Sequence, residues 1–193
     1  LSHENMASRE PIFEQYDKQI QGRIHTETGL ADSDVMAPFN SEKYPEEIRN
    51  VGIALSTEQN PRHGLIDPYW GGVNAVVEAM RNVAAVGATP HALSDCLCFG
   101  NPEKPHQMWE FVESVRGVAD ACNAITLKDN PDHATPIIAG NVSFYNESKG
   151  GAIPPSPILS CLGRFKDVNK AVPAHFQKLN SVVLMIGERK NEL

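Results

Sequence analysis

The sequence predicts an α+β fold, in which a mixed four-stranded sheet carries helices on one face. Two observations predict this fold. Apolar runs of strand length and two segments of helical periodicity follow one another between residues 50 and 170. Their order is strand, helix, strand, helix, strand, strand. Because the strands are apolar on both faces and helices cover only one, we expect the other face to meet a partner sheet or domain.

The first 50 residues read as a sparsely structured lead-in. This stretch is polar, rich in Glu and Asp, and interrupted by glycines and prolines. We predict one short helix near Ile12–Ile20 and a strand around Arg23–Thr28.

The regular elements begin near residue 50. The run NVGIALST predicts a buried strand, and residues 71–88 repeat apolar side chains at helical spacing until Gly87 ends the helix. A second strand, HALSDCLCF, leads through a loop to a helix whose first turn contains Pro105. Two further strands follow, PIIAGNVSF and PILSCLGRF.

The last apolar run, SVVLMIG, lies within residues 180–193. We predict that it is the first strand of a following domain and that the chain is truncated there, because so apolar a strand needs a sheet to pair with.

Composition excludes several classes of function. The chain has 193 residues, 41% hydrophobic content, a net charge of -7 and a pI of about 5.5, with no basic stripe for nucleic acid. No apolar run approaches the roughly 18–20 residues that span a bilayer, and the N-terminal stretch lacks a signal-peptide pattern. We expect a cytoplasmic protein whose four cysteines are reduced.

A carboxylate interrupts the strand HALSDCLCF. The two-residue alternation places Asp95 on the same face as Leu93 and Leu97. A lone carboxylate among such neighbours is costly unless it is protonated, paired or bound to a cation. The alternative is a strand-end carboxylate that meets solvent or caps the next loop, and spacing alone leaves both open.

The strand PIIAGNVSF has a similar interruption. Asn141 and Ser143 share a face, and Gly140 removes a side chain beside them. Glycine in a strand often marks the close approach of a ligand or backbone; its alternative is an ordinary bulge. If the strand ends converge, the Asp95 carboxylate and the Asn141 carbonyl could together hold a Mg²⁺–triphosphate, although not a bare ion.

Other chemistries fit less well. A soft-metal site would draw on Cys96, Cys98, His91 and His106, but the two cysteines lie on the opposite strand face from Asp95 and no second Cys pair of zinc spacing exists. Buried structural thiols are the favoured alternative. The sequence also lacks GxxxxGK(S/T), GxGxxG after a strand, and GxSxG, so a nucleotide must bind by another scheme.

Four strings, in order over most of the chain, resemble one family: FEQYD, DPYWGGVNAVVEAMRNVAAVGATPHALSD, FGNPEKP and AGNVSFYNES. They are similar to the phosphoribosylformylglycinamidine synthases, for which FGNPEKP followed by GNVSxYNE is highly specific. The resemblance implies membership of the wider aminoimidazole ribonucleotide synthetase superfamily, whose N-terminal domains pair sheets into a β-barrel. It identifies residues 50–170 as the second barrel-forming domain of such a polypeptide.

The same resemblance implies roles for individual residues. Asp95 and Gly140 would contact ATP, Asn141 would bind Mg²⁺, and Ser143 would contact formylglycinamide ribonucleotide. The family's catalytic histidines and ATP-binding lysine belong to the first barrel-forming domain, and no segment here matches them. We therefore expect this chain to supply one wall of the site and no catalytic residue. The isolated chain should then have no activity.

The implied reaction belongs to de novo purine biosynthesis. ATP activates the amide oxygen of the substrate, and glutamine-derived ammonia then displaces phosphate to give the amidine. The implied partners are the sister barrel-forming domain and a glutaminase subunit or domain, and we expect the isolated fragment to homodimerise. The chain departs from the sister domain at Asn82, because that domain carries Arg-Asp where this chain carries Arg81-Asn82. Loss of this carboxylate weakens any claim that the present domain has its own full set of metal ligands.

Two alternatives stay open at this point. The chain could be a structural pseudo-dimer domain with a non-catalytic nucleotide pocket. It could also be another superfamily member, such as a thiamine-phosphate kinase or a hydrogenase maturation factor, which FGNPEKP and GNVSFYNES disfavour.

Overall fold

The computed structural model describes residues 7–16, 20–27, 29–188 and 190. The helices are α1 (Glu10–Phe13), α2 (Pro61–Ile66), α3 (Pro68–Ala85) and α4 (Pro105–Ala124), with 3₁₀ turns at Ile20–Gly22, Glu46–Ile48 and Val168–Lys170. The strands are β1 (Ile24–Thr26), β2 (Asp34–Met36), β3 (Gly52–Glu58), β4 (Thr89–Cys98), β5 (Thr126–Leu127), β6 (Asn130–Ala134), β7 (Ile137–Ser143), β8 (Glu147–Ser148), β9 (Gly151–Ala152) and β10 (Ser156–Phe165).

The main sheet has six strands in the order β1-β2-β3-β10-β4-β7. Every pairing is antiparallel except that of β4 with β7, which is parallel. The predicted α+β class with a mixed sheet is thereby confirmed. The sheet has six strands rather than four because β1 and β2 add to the edge of β3. Strand β1 lies within the strand predicted around Arg23–Thr28, whereas β2 has only three residues, too few for a two-residue alternation to show.

Helix α3 ends just before Gly87, as the sequence predicts, and it begins at Pro68, three residues before the predicted run. The Asp67 carboxylate accepts hydrogen bonds from the backbone N–H groups of Tyr69 at 2.9 Å and Trp70 at 3.3 Å, and Pro68 fills the first turn. Gly87 follows the helix with φ of 93°, a conformation that favours glycine. The buried side of α3 packs on β3, β10 and β4, which places the core between this helix and the sheet.

Helix α4 packs closely on α3 through small residues. A Cβ at Gly72 would lie 2.3 Å from the Ser114 carbonyl oxygen, and one at Gly117 would lie 2.0 Å from that of Tyr69. The backbones therefore approach too closely for larger side chains. Of the apolar side chains of α4, Val118 and Cys122 are buried in the core, whereas Met108, Val112 and Val115 remain 42%, 47% and 36% exposed.

The two ends of the chain are described in part. Helix α1 ends at Phe13, and part of the predicted helix, residues 17–19, lies outside the described residues, as does residue 28 of the predicted first strand. Residues 181–186 form no strand in the described chain, and their apolar side chains are exposed. Residues 189 and 191–193 lie outside the described residues, and the pairing of this segment with a following domain stays a prediction. None of the described helices combines the length and apolar character needed to cross a membrane.

Candidate functional site at the β4–β7 edge

The predicted site residues lie on the neighbouring strands β4 and β7, with β7 at the edge of the sheet. In the parallel register Asp95 pairs with Gly140, and Cys96 pairs with Asn141. Successive residues alternate between faces, so Asp95 and Gly140 lie on the helix-covered face, whereas Asn141 and Ser143 lie on the opposite, open face. The structure does not bring the Asp95 carboxylate and the Asn141 amide together on one face, where convergence of the strand ends would have placed them.

Asp95 lies at a small cleft between β4, the start of β7 and helix α4. The cleft has a volume of about 100 Å³ and is otherwise lined by Leu97, Val115, Val118, Ala119 and Ile137. Burial in these surroundings raises the pKa of Asp95, and a hydrogen bond from the backbone N–H of Asn141 partly opposes the rise. A half-buried carboxylate with a raised pKa is typical of a functional position, although structural carboxylates can share that property.

Gly140 is a site of close approach. A Cβ at this position would lie 2.6 Å from Oδ1 and 3.0 Å from Cγ of Asp95. The register shift between β4 and β7 falls between Leu93 and Ser94, not at Gly140. The Asp95 side chain thus occupies the space that the missing Cβ leaves, and the strand has no bulge at Gly140. Contact of Gly140 with ATP stays a prediction.

On the open face, Asn141 is exposed and its amide nitrogen donates a hydrogen bond to Sγ of Cys96 at 3.6 Å. This contact uses the nitrogen end of the amide. The oxygen end is the hard donor that a Mg²⁺ ion prefers. The local geometry therefore suits the expected role of Asn141.

Asn146, which the sequence analysis did not single out, holds Ser143 in place. Its amide nitrogen lies 2.8 Å from the Ser143 carbonyl oxygen, 3.1 Å from Ser143 Oγ and 3.0 Å from the Phe99 carbonyl oxygen. Its backbone N–H also donates to Phe99. The available signal in the sequence was the place of Asn146 in the motif GNVSxYNE, three residues after Ser143. Tyr145, between them, has φ of 61°.

The two family motifs meet in space. Lys104, at the end of FGNPEKP, contacts both carboxylate oxygens of Glu147 at 2.8 and 3.0 Å. The ring of Phe111 lies edge-on to Phe99 and Phe144, with centroids 5.3 and 5.0 Å away. These contacts fix the loop after β4 against the turn after β7.

Further metal ligands are scarce. Across the described part of the chain, no three His, Cys, Asp or Glu side chains lie close enough to hold a metal ion, so Cys96, Cys98, His91 and His106 do not form a shared site. Asn82 donates its amide to Glu58 at 2.6 Å, and burial of Glu58 raises its pKa. Asn82 therefore serves a structural contact on the helix-covered side.

Comparison with known proteins adds close relatives. The chain is similar to phosphoribosylformylglycinamidine synthase subunit PurL of Methanothrix thermoacetophila, with 49% identity over 193 residues, all of this chain and 24% of that protein. It is also similar to the structure of PurL of Thermotoga maritima complexed with ATP, with 26% identity, a TM-score of 0.66, and coverage of 86% of this chain and 24% of that one. It is similar as well to the structure of PurLQS from T. maritima, with 25% identity and a TM-score of 0.67. That match covers 86% of this chain and 25% of the other.

The chain thus spans about a quarter of the length of the relatives it matches. Residues 46–165 match the family described as AIR synthase related protein, N-terminal domain. This match includes α3, the FGNPEKP loop and both strands of the β4–β7 edge, and it confirms the superfamily that the motifs indicated. The chain belongs to the AIR synthase related family and contains its N-terminal domain.

Proposed function

We propose that this chain is an internal domain of a phosphoribosylformylglycinamidine synthase, the ATP-dependent ligase that converts formylglycinamide ribonucleotide to the amidine in purine biosynthesis. The observation that carries the proposal is 49% identity to a PurL subunit along the whole chain. The similar T. maritima PurL was solved as a complex with ATP, which supports ATP as the nucleotide.

In this proposal the β4–β7 edge forms one wall of the site. Asp95 and Gly140 face the nucleotide, Asn141 offers its amide oxygen to Mg²⁺, and Ser143 contacts the substrate. The two pairs lie on opposite faces of the sheet at its β4–β7 edge, so the ligands would lie around the free edge of β7. Residues from another domain would complete the shell, because no three His, Cys, Asp or Glu side chains in the described part of the chain lie close enough to hold a metal ion.

The contribution of the chain to the reaction would be binding and orientation. When bound, Mg²⁺ would offset negative charge on the phosphoryl group that passes from ATP to the amide oxygen. Asn141 would orient the triphosphate through that ion. Ser143, held by Asn146, would position the substrate while ammonia from a glutaminase partner displaces phosphate.

We further propose that the open sheet face pairs with the sister domain to form a β-barrel. Leu55 and Met36 on this face are 51% and 37% exposed to solvent. Exposed apolar surface of this kind is typically covered by a partner. The isolated chain is then expected to dimerise through it. In sedimentation, Leu55→Lys should give a monomer, whereas Leu65→Lys, on exposed α2, should not; a monomeric parent chain would contradict the pairing.

Residues 180–193 would pair with the following domain as its first strand. The exposed apolar run in this segment supports the proposal. Val182, Leu184 and Ile186 are 82%, 77% and 94% exposed to solvent.

The proposed role of Asn141 is testable in the intact synthetase polypeptide. Asn141→Leu removes the oxygen that would bind the metal while keeping a side chain of similar size. Asn141→Asp keeps a side-chain oxygen that can bind the metal. Loss of a metal ligand should cost at least about 10–100-fold in Mg²⁺-dependent activity, so the Leu variant should fall that far and the Asp variant less. Melting temperatures of both should stay near the parent value, because Asn141 is exposed. Near-normal activity of Asn141→Leu would refute the ligand assignment.

A second candidate is a structural domain whose own nucleotide pocket is non-catalytic. The contact of Asn82 with Glu58 favours it, because that amide takes part in packing. On either proposal the isolated chain should release no phosphate from ATP, substrate and ammonia. If the Asn141 variants of the intact polypeptide both retain activity, the structural candidate is preferred.

A further inference from the structure

We propose that Tyr145 is a substrate-contacting residue, whose phenol ring packs against the ribonucleotide that Ser143 contacts. The inference rests on the proposed function and adds a residue to the same site. Three features of the turn after β7 carry it: a backbone conformation that is unfavourable for tyrosine, a set of hydrogen bonds that holds this conformation, and an aromatic ring that is exposed to solvent.

The backbone at Tyr145 lies in the left-handed region. Its φ is 61°, and among the described residues the other non-glycine residues with positive φ are Gln21 and Asn180. A bulky side chain is rarely found in this region, which glycine enters without steric cost. Residues held in such conformations cluster at active sites and ligand-binding segments. Glycine would suit this backbone better, so the presence of tyrosine is explained by its side chain.

Three backbone hydrogen bonds hold the turn. The N–H of Tyr145 donates to the Gly100 carbonyl at 3.0 Å, that of Asn146 to the Phe99 carbonyl at 3.1 Å, and that of Glu147 to the Tyr145 carbonyl at 2.9 Å. The turn is thereby fixed to the loop that follows β4. Because its backbone cannot relax without losing these bonds, the direction of the Tyr145 side chain is set before a ligand binds.

The Tyr145 side chain faces solvent, unlike that of its neighbour Phe144. The Phe144 ring packs edge-on to Phe111, with centroids 5.0 Å apart. Tyr145 is 57% exposed, and in the described part of the chain its ring packs on no other aromatic ring and its hydroxyl has no hydrogen-bond partner. An exposed tyrosine offers a large, rigid contact surface at a low cost in conformational entropy. Contact with a ligand therefore accounts for the strained tyrosine, whereas packing within the domain does not.

The position of Tyr145 favours the substrate over ATP as that ligand. Tyr145 lies between Ser143, the proposed substrate contact, and Asn146, whose amide nitrogen is 3.1 Å from Ser143 Oγ. The proposed ATP contacts, Asp95 and Gly140, lie on the helix-covered face of the sheet. The ring is thus held within two residues of the hydroxyl that would contact the substrate.

Tyr145→Gly in the intact synthetase polypeptide tests the inference, with ammonia as the nitrogen donor. Glycine suits the left-handed backbone, so the melting temperature should not fall. Loss of an aromatic contact should raise KM for formylglycinamide ribonucleotide at least about 10-fold, with kcat and KM for ATP little changed. Tyr145→Phe keeps the ring and should behave as the parent does. The matched control is Phe176→Gly, which removes an aromatic side chain that is 78% exposed elsewhere and should leave KM unchanged.

Several results would overturn the role of Tyr145. An unchanged substrate KM in Tyr145→Gly would mean that the ring does not touch the substrate, and a rise in KM for ATP instead would mean that it contacts the nucleotide. A clear fall in melting temperature would mean that the side chain packs within the protein. An equal loss in Tyr145→Phe would exclude packing of the ring as the contact. A parent polypeptide that forms no amidine would contradict the proposed function as well, whereas these results with an active parent contradict only the role of Tyr145.

Discussion

The two faces of the β4–β7 edge use the same strands for different purposes. On the helix-covered face, Asp95 fills the space beside Gly140 and is partly withdrawn from water. On the open face, Asn141 is exposed and Ser143 is held by Asn146. The comparison indicates that Asp95 and Gly140 depend on each other's shape, whereas Asn141 and Ser143 present polar atoms that are available to a ligand.

The largest effect is expected at Gly140. Gly140→Ala places a Cβ 2.6 Å from Oδ1 of Asp95, so the carboxylate must move. Overpacking of this kind costs about 2–3 kcal/mol, which urea denaturation would measure. The double variant Asp95→Ala/Gly140→Ala should regain most of the loss, because the clashing atoms are gone. If it does not, the two faces do not differ as described.

Asn146→Ala tests the support of the open face. The change removes one hydrogen bond from each of the Ser143 and Phe99 carbonyl groups, and both keep a backbone N–H donor. A net hydrogen bond contributes about 0.5–1.5 kcal/mol, and we expect a loss of that size. In the intact polypeptide, KM for the substrate should rise because Ser143 loses its orientation. Asn169→Ala, at an exposed asparagine, is the control. Unchanged stability and KM in Asn146→Ala would show that the turn holds Ser143 without it.

A pH-dependent effect is expected at Asp95. Burial raises its folded-state pKa, so the charged carboxylate costs stability above that pKa, and the cost is absent below the unfolded-state pKa. Asp95→Asn should therefore raise Tm at neutral pH and leave it unchanged in acid. Asp132→Asn, exposed on β6, should show no such pattern. A lower Tm at neutral pH would mean that the charge is stabilising.

The smallest effect is expected for the pair between the two motif loops. Glu147→Gln removes the ion pair with Lys104, whose side chain is 58% exposed. Such pairs contribute little, so we expect a change within about 0.5 kcal/mol that shrinks further in high salt. A larger loss of stability would mean that the ion pair between Lys104 and Glu147 is one of the main interactions that stabilise the site.

The sequence by itself determined the type of most elements and the family. Helix α3 was predicted from the spacing of its apolar residues and from Gly87 at its end, because these signals act within a few residues of the chain. Its start, with Asp67 as the cap and Pro68 in the first turn, was seen only in the structure. The four site residues were singled out as a carboxylate, an amide and a hydroxyl in apolar strands beside a glycine. Their roles came from the family motifs and remain predictions.

Only the tertiary structure decided which residues face each other. Strand β10, late in the chain, lies between β3 and β4, and β7 joins β4 in parallel. This register places Asp95 and Asn141 on opposite faces of the sheet. Strand pairing depends on contacts between distant segments, whereas spacing within one segment reports only its own alternation. For that reason the sequence predicted strands at both positions but not how they meet.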